Sequence, residues 1–159
     1  MYTVLVTGTS RGIGLEFARQ HGADGWRVFA CCRKPDQTFD LSKIVGHSND
    51  RVTVHQLDVD DALSVADLKN ELARQPLDVL GNNTGIMRQS YAALGNIDYM
   101  AWQNCLTTNV LGPTRMAEAF ADNVSASRQK IDYKFLPHGF DCQYGGNGFN
   151  YFPFLQSSR

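Results

Sequence analysis

Continuous apolar runs and amphipathic stretches follow one another along most of the chain. Four apolar runs bounded by turn formers predict buried strands, at residues 2–6, 26–32, 52–57 and 77–80. Three stretches with apolar residues at helical spacing predict helices, at residues 13–21, 61–74 and 99–123, the last with a kink at Gly112-Pro113. Residues 33–50 are polar and rich in turn formers, and no regular element is predicted there.

The order of these elements predicts the fold class. A strand, a helix and a parallel strand connect through a right-handed crossover, which leaves helices on both faces of the sheet. We therefore expect an α/β fold built on a doubly wound parallel sheet. The sheet is expected to be incomplete, with about four to five strands.

The C-terminal tail, residues 131–159, has a different composition. Phe, Tyr, Gly and Asn dominate it, and charged residues are sparse. Its first part alternates, with Ile131, Tyr133 and Phe135 on one side, which predicts one strand at residues 130–136. Neither helical nor strand periodicity continues beyond Leu136, so the chain divides into a domain of residues 1–130 and this tail.

Composition and charge narrow the class of partner. The formal net charge is -1, which gives no reason to expect a nucleic acid or a charged membrane surface. No apolar stretch approaches the roughly 20 residues of a membrane-spanning helix, so we expect a cytoplasmic protein. The cysteines form no C-x-x-C pair and are expected to be buried thiols: Cys31, Cys32, Cys105 and Cys142.

A glycine-rich turn follows the first predicted strand. Residues 7–14 are T-G-T-S-R-G-I-G, and the first predicted helix begins within them. Such a turn aims free backbone N–H groups at one point, with the positive end of the helix dipole behind them, which suits a pyrophosphate. The spacing is not G-x-G-x-x-G, and a tight turn without a ligand is the alternative.

Four motifs in order carry a family resemblance. T-G-T-S-R-G-I-G is followed by L-D-V-D after the third strand, N-N-T-G after the fourth, and T-N-V in the long helix. Over residues 1–130 the chain resembles the short-chain dehydrogenase/reductase family, and the start of the chain and L-G-P-T-R-M-A-E-A-F are similar to its C-factor-like branch. The resemblance implies a Rossmann-type NAD(P)-binding domain over residues 1–130.

The resemblance also implies roles for particular residues. The glycine turn would face the pyrophosphate, Asp58 would accept from the adenine amine, and Asn109 would be the catalytic asparagine that helps hold a water in the proton relay. Without a ligand, Asp58 would be a strand-end cap and Asn109 a satisfied polar group in a helix. The implied cofactor-binding residues are Gly8, Thr9, Ser10, Arg11, Gly12, Ile13, Gly14, Arg33, Asp58, Val59, Asn83 and Gly85.

Basic residues favour NADP over NAD. The residue after the second strand meets the adenosine ribose, where an acid would bind the free hydroxyls of NAD and an arginine would pair with the 2′-phosphate of NADP. Arg33 stands there, followed by Lys34, and Arg11 lies in the glycine turn. A solvated basic cluster is the alternative.

The catalytic pair of the family is absent from these residues. No lysine of the chain has a tyrosine four positions before it, and the family's Tyr-x-x-x-Lys places both on one helix face. Gly81 and Thr84 also depart from the family pattern. By family the protein is expected to transfer a hydride between NADP(H) and a small-molecule carbonyl or secondary alcohol, whereas this chain is expected to bind nucleotide as a truncated, catalytically impaired fragment.

Three further expectations concern the whole protein. Back-translation of the tail in a shifted frame permits I-I-N, M-G-S-I-A and S-K-A-A, which resemble later family motifs, so we hypothesise that the tail is a frameshift product. The family resemblance makes a homo-oligomer one expectation, because the long helix forms part of the family's dimer bundle, while the partner helix of that bundle would follow residue 159 and the sequence leaves the oligomeric state open. The alternative function, based on the branch resemblance, is a C-factor-like cell-signalling or interaction protein.

Overall fold

The computed structural model describes residues 1–87, 95–127, 131–135, 141–145 and 148–150. Seven strands are present in this part of the chain: β1 Thr3–Thr7, β2 Arg27–Cys32, β3 Val52–Gln56, β4 Val79–Asn82, β5 Ile131–Phe135, β6 Asp141–Gly145 and β7 Gly148–Asn150. The helices are α1 Gly12–Ala23, α2 Phe39–Gly46, α3 Ala62–Leu72, α4 Tyr99–Leu106 and α5 Gly112–Ser125, with a 3-10 turn at Pro35–Gln37.

The strands form one sheet in the order β3-β2-β1-β4-β5-β6-β7. The first five of these are parallel to their neighbours, and β6 and β7 are added antiparallel at the end. The chain runs outward from β1 through β2 to β3 and then returns to β4 on the other side of β1. The strand order therefore reverses between β1 and β4, where open α/β sheets hold their ligands.

Helices cover both faces of the sheet, which confirms the predicted doubly wound α/β fold. On one face α3 and α5 pack over Leu5 and Leu80, with the fully buried Phe120 at the centre. On the other face α1 and α2 pack over Val4 and Val6. Neighbouring residues of β1 thus serve opposite cores, as the period of two in a strand requires.

The cysteines of β2 are divided between the two faces in the same way. Cys31 lies in the core under α3 and α5, and Cys32 lies in the core under α1 and α2. Both are buried free thiols, as predicted. The prediction that Cys105 is buried was wrong, because it lies on α4, which has no buried residue, and the Cys142 side chain lies outside the described part of the structure. Burial raises the pKa of the Cys31 thiol well above its usual value.

The predicted long helix is interrupted by one π-helical turn, Thr107–Leu111, between α4 and α5. The Gly112 N–H donates to the carbonyl of Thr107, five residues back. Pro113 has no N–H to donate to the carbonyl four residues before it, so a regular helix could not continue through this point. The predicted disruption at Gly112-Pro113 is therefore present as a π turn just before it.

Two parts of the structure were not predicted. Helix α2 lies within the polar stretch of residues 33–50, and Leu41 is its one fully buried side chain. Strands β6 and β7 lie in the tail, beyond the predicted strand at residues 130–136. That strand is present as β5, parallel to β4, while residues 130 and 136 lie outside the described part. Across the described residues, no helix has the length and apolarity needed to cross a membrane.

Candidate functional site

A cleft of about 640 Å³ opens at the carboxyl ends of β1, β2, β3 and β4. It lies where the strand order reverses, and each of the four strands contributes the loop that follows it. The π turn and α4 close the cleft from the side. The lining residues are Gly8, Ser10, Arg11, Gly12, Ile13, Gly14, Cys32, Arg33, Leu57, Asp58, Val59, Asp60, Asn83, Thr84, Gly85, Ile86, Asn104, Thr107 and Thr108.

The glycine turn between β1 and α1 needs its glycines for two different reasons. Gly8 and Gly12 have φ of 72° and 60°, in the left-handed region that favours glycine. Gly14 has an ordinary backbone, but a Cβ there would overlap the Gly8 carbonyl oxygen and Nδ2 of Asn83. The turn is thus folded back tightly on the start of α1.

The N-terminus of α1 faces the cleft without a side-chain cap. Arg11 is the N-cap residue, and its side chain makes no capping hydrogen bond. The first N–H groups of a helix have no partner within the helix, and the helix dipole adds positive charge at that end. Gly12, Ile13 and Gly14 line the cleft at this point, so the arrangement suits a phosphate or a similar anion.

Two arginines add positive charge to the same part of the cleft. Arg11 and Arg33 are exposed cleft residues, and Arg33 directly follows β2. Cys32 also lines the cleft, although its side chain belongs to the core under α1 and α2. Burial raises the pKa of the Cys32 thiol, and hydrogen bonds with the Lys34 backbone and the Thr38 side chain offset this in part. The thiol stays protonated near neutral pH, which argues against Cys32 as a nucleophile.

The loop after β3 presents Asp58 and Val59 to the cleft. The Asp58 N–H donates to Oγ of Ser64 at 2.9 Å, and Oδ1 of Asp58 accepts from the Asp60 N–H at 3.1 Å. The carboxylate of Asp58 is therefore fixed by its own loop. Asp58 therefore caps the loop after β3 and lines the cleft at the same time.

The loop after β4 is tied to β1. Nδ2 of Asn83 donates to the carbonyls of Thr7, at 2.9 Å, and of Gly8, at 3.3 Å. The Thr84 N–H donates to the Thr7 hydroxyl at 2.9 Å, and a Cβ on Gly8 would lie 3.0 Å from the Thr84 hydroxyl. Thr84 thus packs directly against the glycine turn, and Gly85 follows it along the cleft wall.

Asn109 lies in the π turn and not among the cleft-lining residues. Its Oδ1 accepts from the Ile86 N–H at 2.9 Å, and its Nδ2 donates to the Ile86 carbonyl at 2.8 Å. The side chain is therefore a two-way clamp on the loop after β4. The side chain is thus hydrogen-bonded within the protein, and the catalytic role of Asn109 stays a prediction.

The structure brings all but one of the predicted cofactor residues to the cleft. Thr9 is fully buried, and both its N–H and its hydroxyl donate to the Cys31 carbonyl. Its side chain joins β1 to β2 beneath the turn. Eight lining residues were not among the predicted cofactor-binding residues. Four lie within the quoted motifs, namely Leu57, Asp60, Thr84 and Thr108, and four lie outside them, where no local pattern marks them: Cys32, Ile86, Asn104 and Thr107.

The uncapped helix start and the two arginines make this part of the cleft suited to an anion. Across the described part of the chain, no group of three or more His, Cys, Asp or Glu side chains could hold a metal ion. The order of the strands and the position of the cleft define a Rossmann-type α/β fold. A family model described as short chain dehydrogenase matches residues 2–131, and the chain belongs to that family.

Individual relatives agree with this assignment. An uncharacterized oxidoreductase of Schizosaccharomyces pombe is 32% identical over 156 residues, which cover 96% of this chain and 58% of that protein. (+)-Neomenthol dehydrogenase of Arabidopsis thaliana is 33% identical over 138 residues, covering 73% of this chain and 47% of that protein. The chain thus spans about half the length of these relatives.

Solved structures show the same fold. A carbonyl reductase from Pseudomonas aeruginosa in complex with NADP matches with a TM-score of 0.73 at 28% identity, over 77% of this chain and 56% of that one. NADPH-bound carbonyl reductase from chicken fatty liver matches with a TM-score of 0.70 at 30% identity, over 82% of this chain and 51% of that one.

Proposed function

We propose that this chain binds NADP(H) in the cleft. The observation that carries the proposal is the uncapped start of α1, which opens through a glycine turn into a cleft of about 640 Å³. The solved relatives that carry NADP or NADPH in their structures support the choice of nucleotide. Arg33 and Arg11 support NADP over NAD, because arginine pairs well with a 2′-phosphate.

The remaining cleft residues then take specific roles. The first-turn amides of α1 would bind the diphosphate, with Ser10 beside them. Asp58 would accept from the adenine amine with Val59 beside the ring, and Asn83 and Gly85 would line the ribose. Under this proposal residues 1–130 form the NAD(P)-binding domain. Thr9 would support the turn from beneath and would not contact the nucleotide through its hydroxyl, because that hydroxyl donates to the Cys31 carbonyl.

The reaction we propose for the family member is hydride transfer between NADP(H) and a carbonyl or secondary alcohol. The nicotinamide of the cofactor, when bound, would supply the hydride to a carbonyl or accept it from a secondary alcohol. The 159 residues hold no Tyr-x-x-x-Lys pair to move the proton at the substrate oxygen. We therefore propose that these residues alone bind the nucleotide and do not turn it over. Asn109 would serve by holding the loop at Ile86.

Nucleotide titrations of the purified chain test the binding proposal. We expect NADPH to bind more tightly than NADH, and Arg33→Ala to weaken NADPH about tenfold while leaving NADH nearly unchanged, because a charge-assisted hydrogen bond is lost. Arg74→Ala is the control, since Arg74 is exposed and lies away from the cleft. No binding of either nucleotide, or equal NADPH affinity in both variants and the parent, would refute the proposal.

An exposed apolar face supports a homo-oligomer. Tyr99, Trp102, Leu106 and Val110 lie three or four residues apart along α4 and the π turn, and each is more than half exposed. We propose that a second copy covers this face. Light scattering of the purified chain should give a mass above the monomer, and Trp102→Glu should return it to the monomer. A monomeric parent chain would refute this.

Two explanations compete for the sequence of the tail: it continues the sequence of the family, or it is a frameshift product. The fission yeast relative aligns with 96% of this chain, so the similarity extends beyond residue 131. The frameshift hypothesis explains the later motifs that a shifted frame permits. We propose to decide between them by sequencing the gene and its downstream DNA. Coding potential for Tyr-x-x-x-Lys in the alternative frame would support the frameshift, and its absence would count against it.

A further inference from the structure

One wall of the cleft lies at the edge of the sheet and needs support. Leu57, Asp58, Val59 and Asp60 all line the cleft, and they follow β3, which pairs with β2 alone in the described sheet. A loop at the end of an edge strand has a neighbouring strand on one side only. The support on its other side comes from a helical segment distant in sequence.

Three residues of that segment contact the loop. The Thr108 hydroxyl donates to Oδ2 of Asp60 at 2.5 Å, and Nη1 of Arg115 donates to the Val59 carbonyl at 3.1 Å. Between them Gly112 lies against Val59, where a Cβ would come within 2.9 Å of Cγ2. Positions 108, 112 and 115 are four and three residues apart, so they share one helix face.

These contacts continue to the carboxylate of Asp58. The Asp60 N–H donates to Oδ1 of Asp58, so the hydrogen bonds run from Thr108 through Asp60 to Asp58. Thr108 and Val59 are each 4% exposed, so the contacts with the helical segment are partly shielded from water, whereas the bond between Asp60 and Asp58 lies at the exposed surface. A movement of Asp60 would therefore turn the Asp58 carboxylate with it.

We propose that Thr108, Gly112 and Arg115 are positioning residues that hold the loop 58–60 so that Asp58 selects adenine. The inference rests on the proposed nucleotide function. Its specific consequence concerns the base: without these contacts the cleft still binds a dinucleotide, but it discriminates less well between adenine and a base that lacks the exocyclic amine.

The test compares NADPH with its hypoxanthine analogue, in which an oxygen replaces the adenine amine. We expect the parent chain to prefer NADPH about tenfold, because Asp58 loses a hydrogen bond and faces a carbonyl oxygen in the analogue. In Thr108→Val and in Arg115→Met the preference should fall to about twofold. Thr108→Ser keeps the hydroxyl and should restore the preference.

Thr114→Val is the matched control, because the Thr114 hydroxyl donates to Val110 within the helix on an exposed face. Its preference for adenine should equal that of the parent. A merely structural role would weaken both nucleotides alike and leave their ratio unchanged, and this result in both Thr108→Val and Arg115→Met would overturn the inference. A parent chain that binds NADPH without preferring adenine would also overturn it, whereas a parent that binds neither nucleotide refutes the proposed function itself.

Discussion

Helices α1 and α3 begin at equivalent places in the fold, but their N-termini are capped differently. Each starts after a parallel strand, at the carboxyl edge of the same sheet. In α3 the N-cap Asp61 accepts from the Leu63 N–H at 2.9 Å, so its own carboxylate occupies the helix start. In α1 the N-cap Arg11 makes no such bond, and the helix start faces the cleft. The residue at the N-cap position, Arg11 or Asp61, therefore decides whether the first amides of the helix are capped by the chain or are free to bind a ligand.

The uncapped start of α1 is nonetheless held in place by contacts from the loop after β4 and from the glycine turn itself. Nδ2 of Asn83 binds the carbonyls of Thr7 and Gly8, and Gly14 packs against the Gly8 backbone. These contacts use carbonyls and glycine surfaces and leave the first-turn amides of α1 alone. The turn is therefore organised before any anion arrives, and a preorganised site loses less entropy on binding.

Among the changes that test this difference between the two helix starts, we expect the largest effect from Gly14→Ala. The new Cβ would overlap backbone atoms of Gly8, so the turn or the helix must shift. We expect a loss of about 2 kcal/mol or more in unfolding free energy and no measurable NADPH binding. Urea denaturation and an NADPH titration measure the two effects.

Gly46→Ala is the control for that change. Gly46 ends α2, and a Cβ there would meet nothing within 4 Å. We expect unchanged NADPH binding and a stability equal to the parent or up to about 1 kcal/mol higher, since alanine is the better helix former. If Gly14→Ala behaves like Gly46→Ala, the tight turn is not what organises the site.

The next largest effect is expected from a substitution that gives α1 the same kind of N-cap residue as α3. Arg11 has the extended backbone of an N-cap residue, so Arg11→Asp should place a carboxylate over the free amides. We expect NADPH affinity to fall more than about tenfold, while the unfolding free energy rises by about 0.5–1 kcal/mol. Arg11→Gln removes the charge without a good cap. If both variants weaken NADPH equally, the loss comes from the charge of Arg11 and not from an occupied helix start.

The sequence alone predicted the fold and the glycine turn that lines the cleft, because both depend on local signals. Apolar runs identified β1 to β4, and the glycine spacing identified the turn. Helix α2 was missed because it buries a single fully enclosed residue, Leu41, within a polar stretch. The contact of Thr108 with Asp60 was missed because it joins residues 48 positions apart. The assignment to a C-factor-like branch stays a prediction.

A smaller effect is expected from the closed helix start. Asp61→Ala removes the cap of α3 and should lower the unfolding free energy by about 1 kcal/mol, with NADPH affinity within about twofold of the parent. Asp61→Asn keeps a capping oxygen and should retain most of the stability. Chemical denaturation and the same NADPH titration test this. A large loss of binding in Asp61→Ala would mean that the two helix starts do not act independently.

The smallest effect concerns the exposed surface of α1, away from its open start. Oε2 of Glu16 accepts from Nε of Arg19 at 2.8 Å, and the Arg19 and Gln20 side chains lower the pKa of Glu16 from 4.5 to about 2. A pKa that is lower in the folded state contributes stability above about pH 4.5 and loses it as the pH falls toward 2. Because the pair is exposed, we expect Glu16→Gln to lower the Tm only slightly at pH 7, and the difference should shrink as the pH falls from about 4.5 toward 2 and in high salt. Melting curves of both proteins between pH 2 and 7 test this, and a difference that stays undiminished at pH 2 would show that Glu16 acts on α1 through something other than its charge.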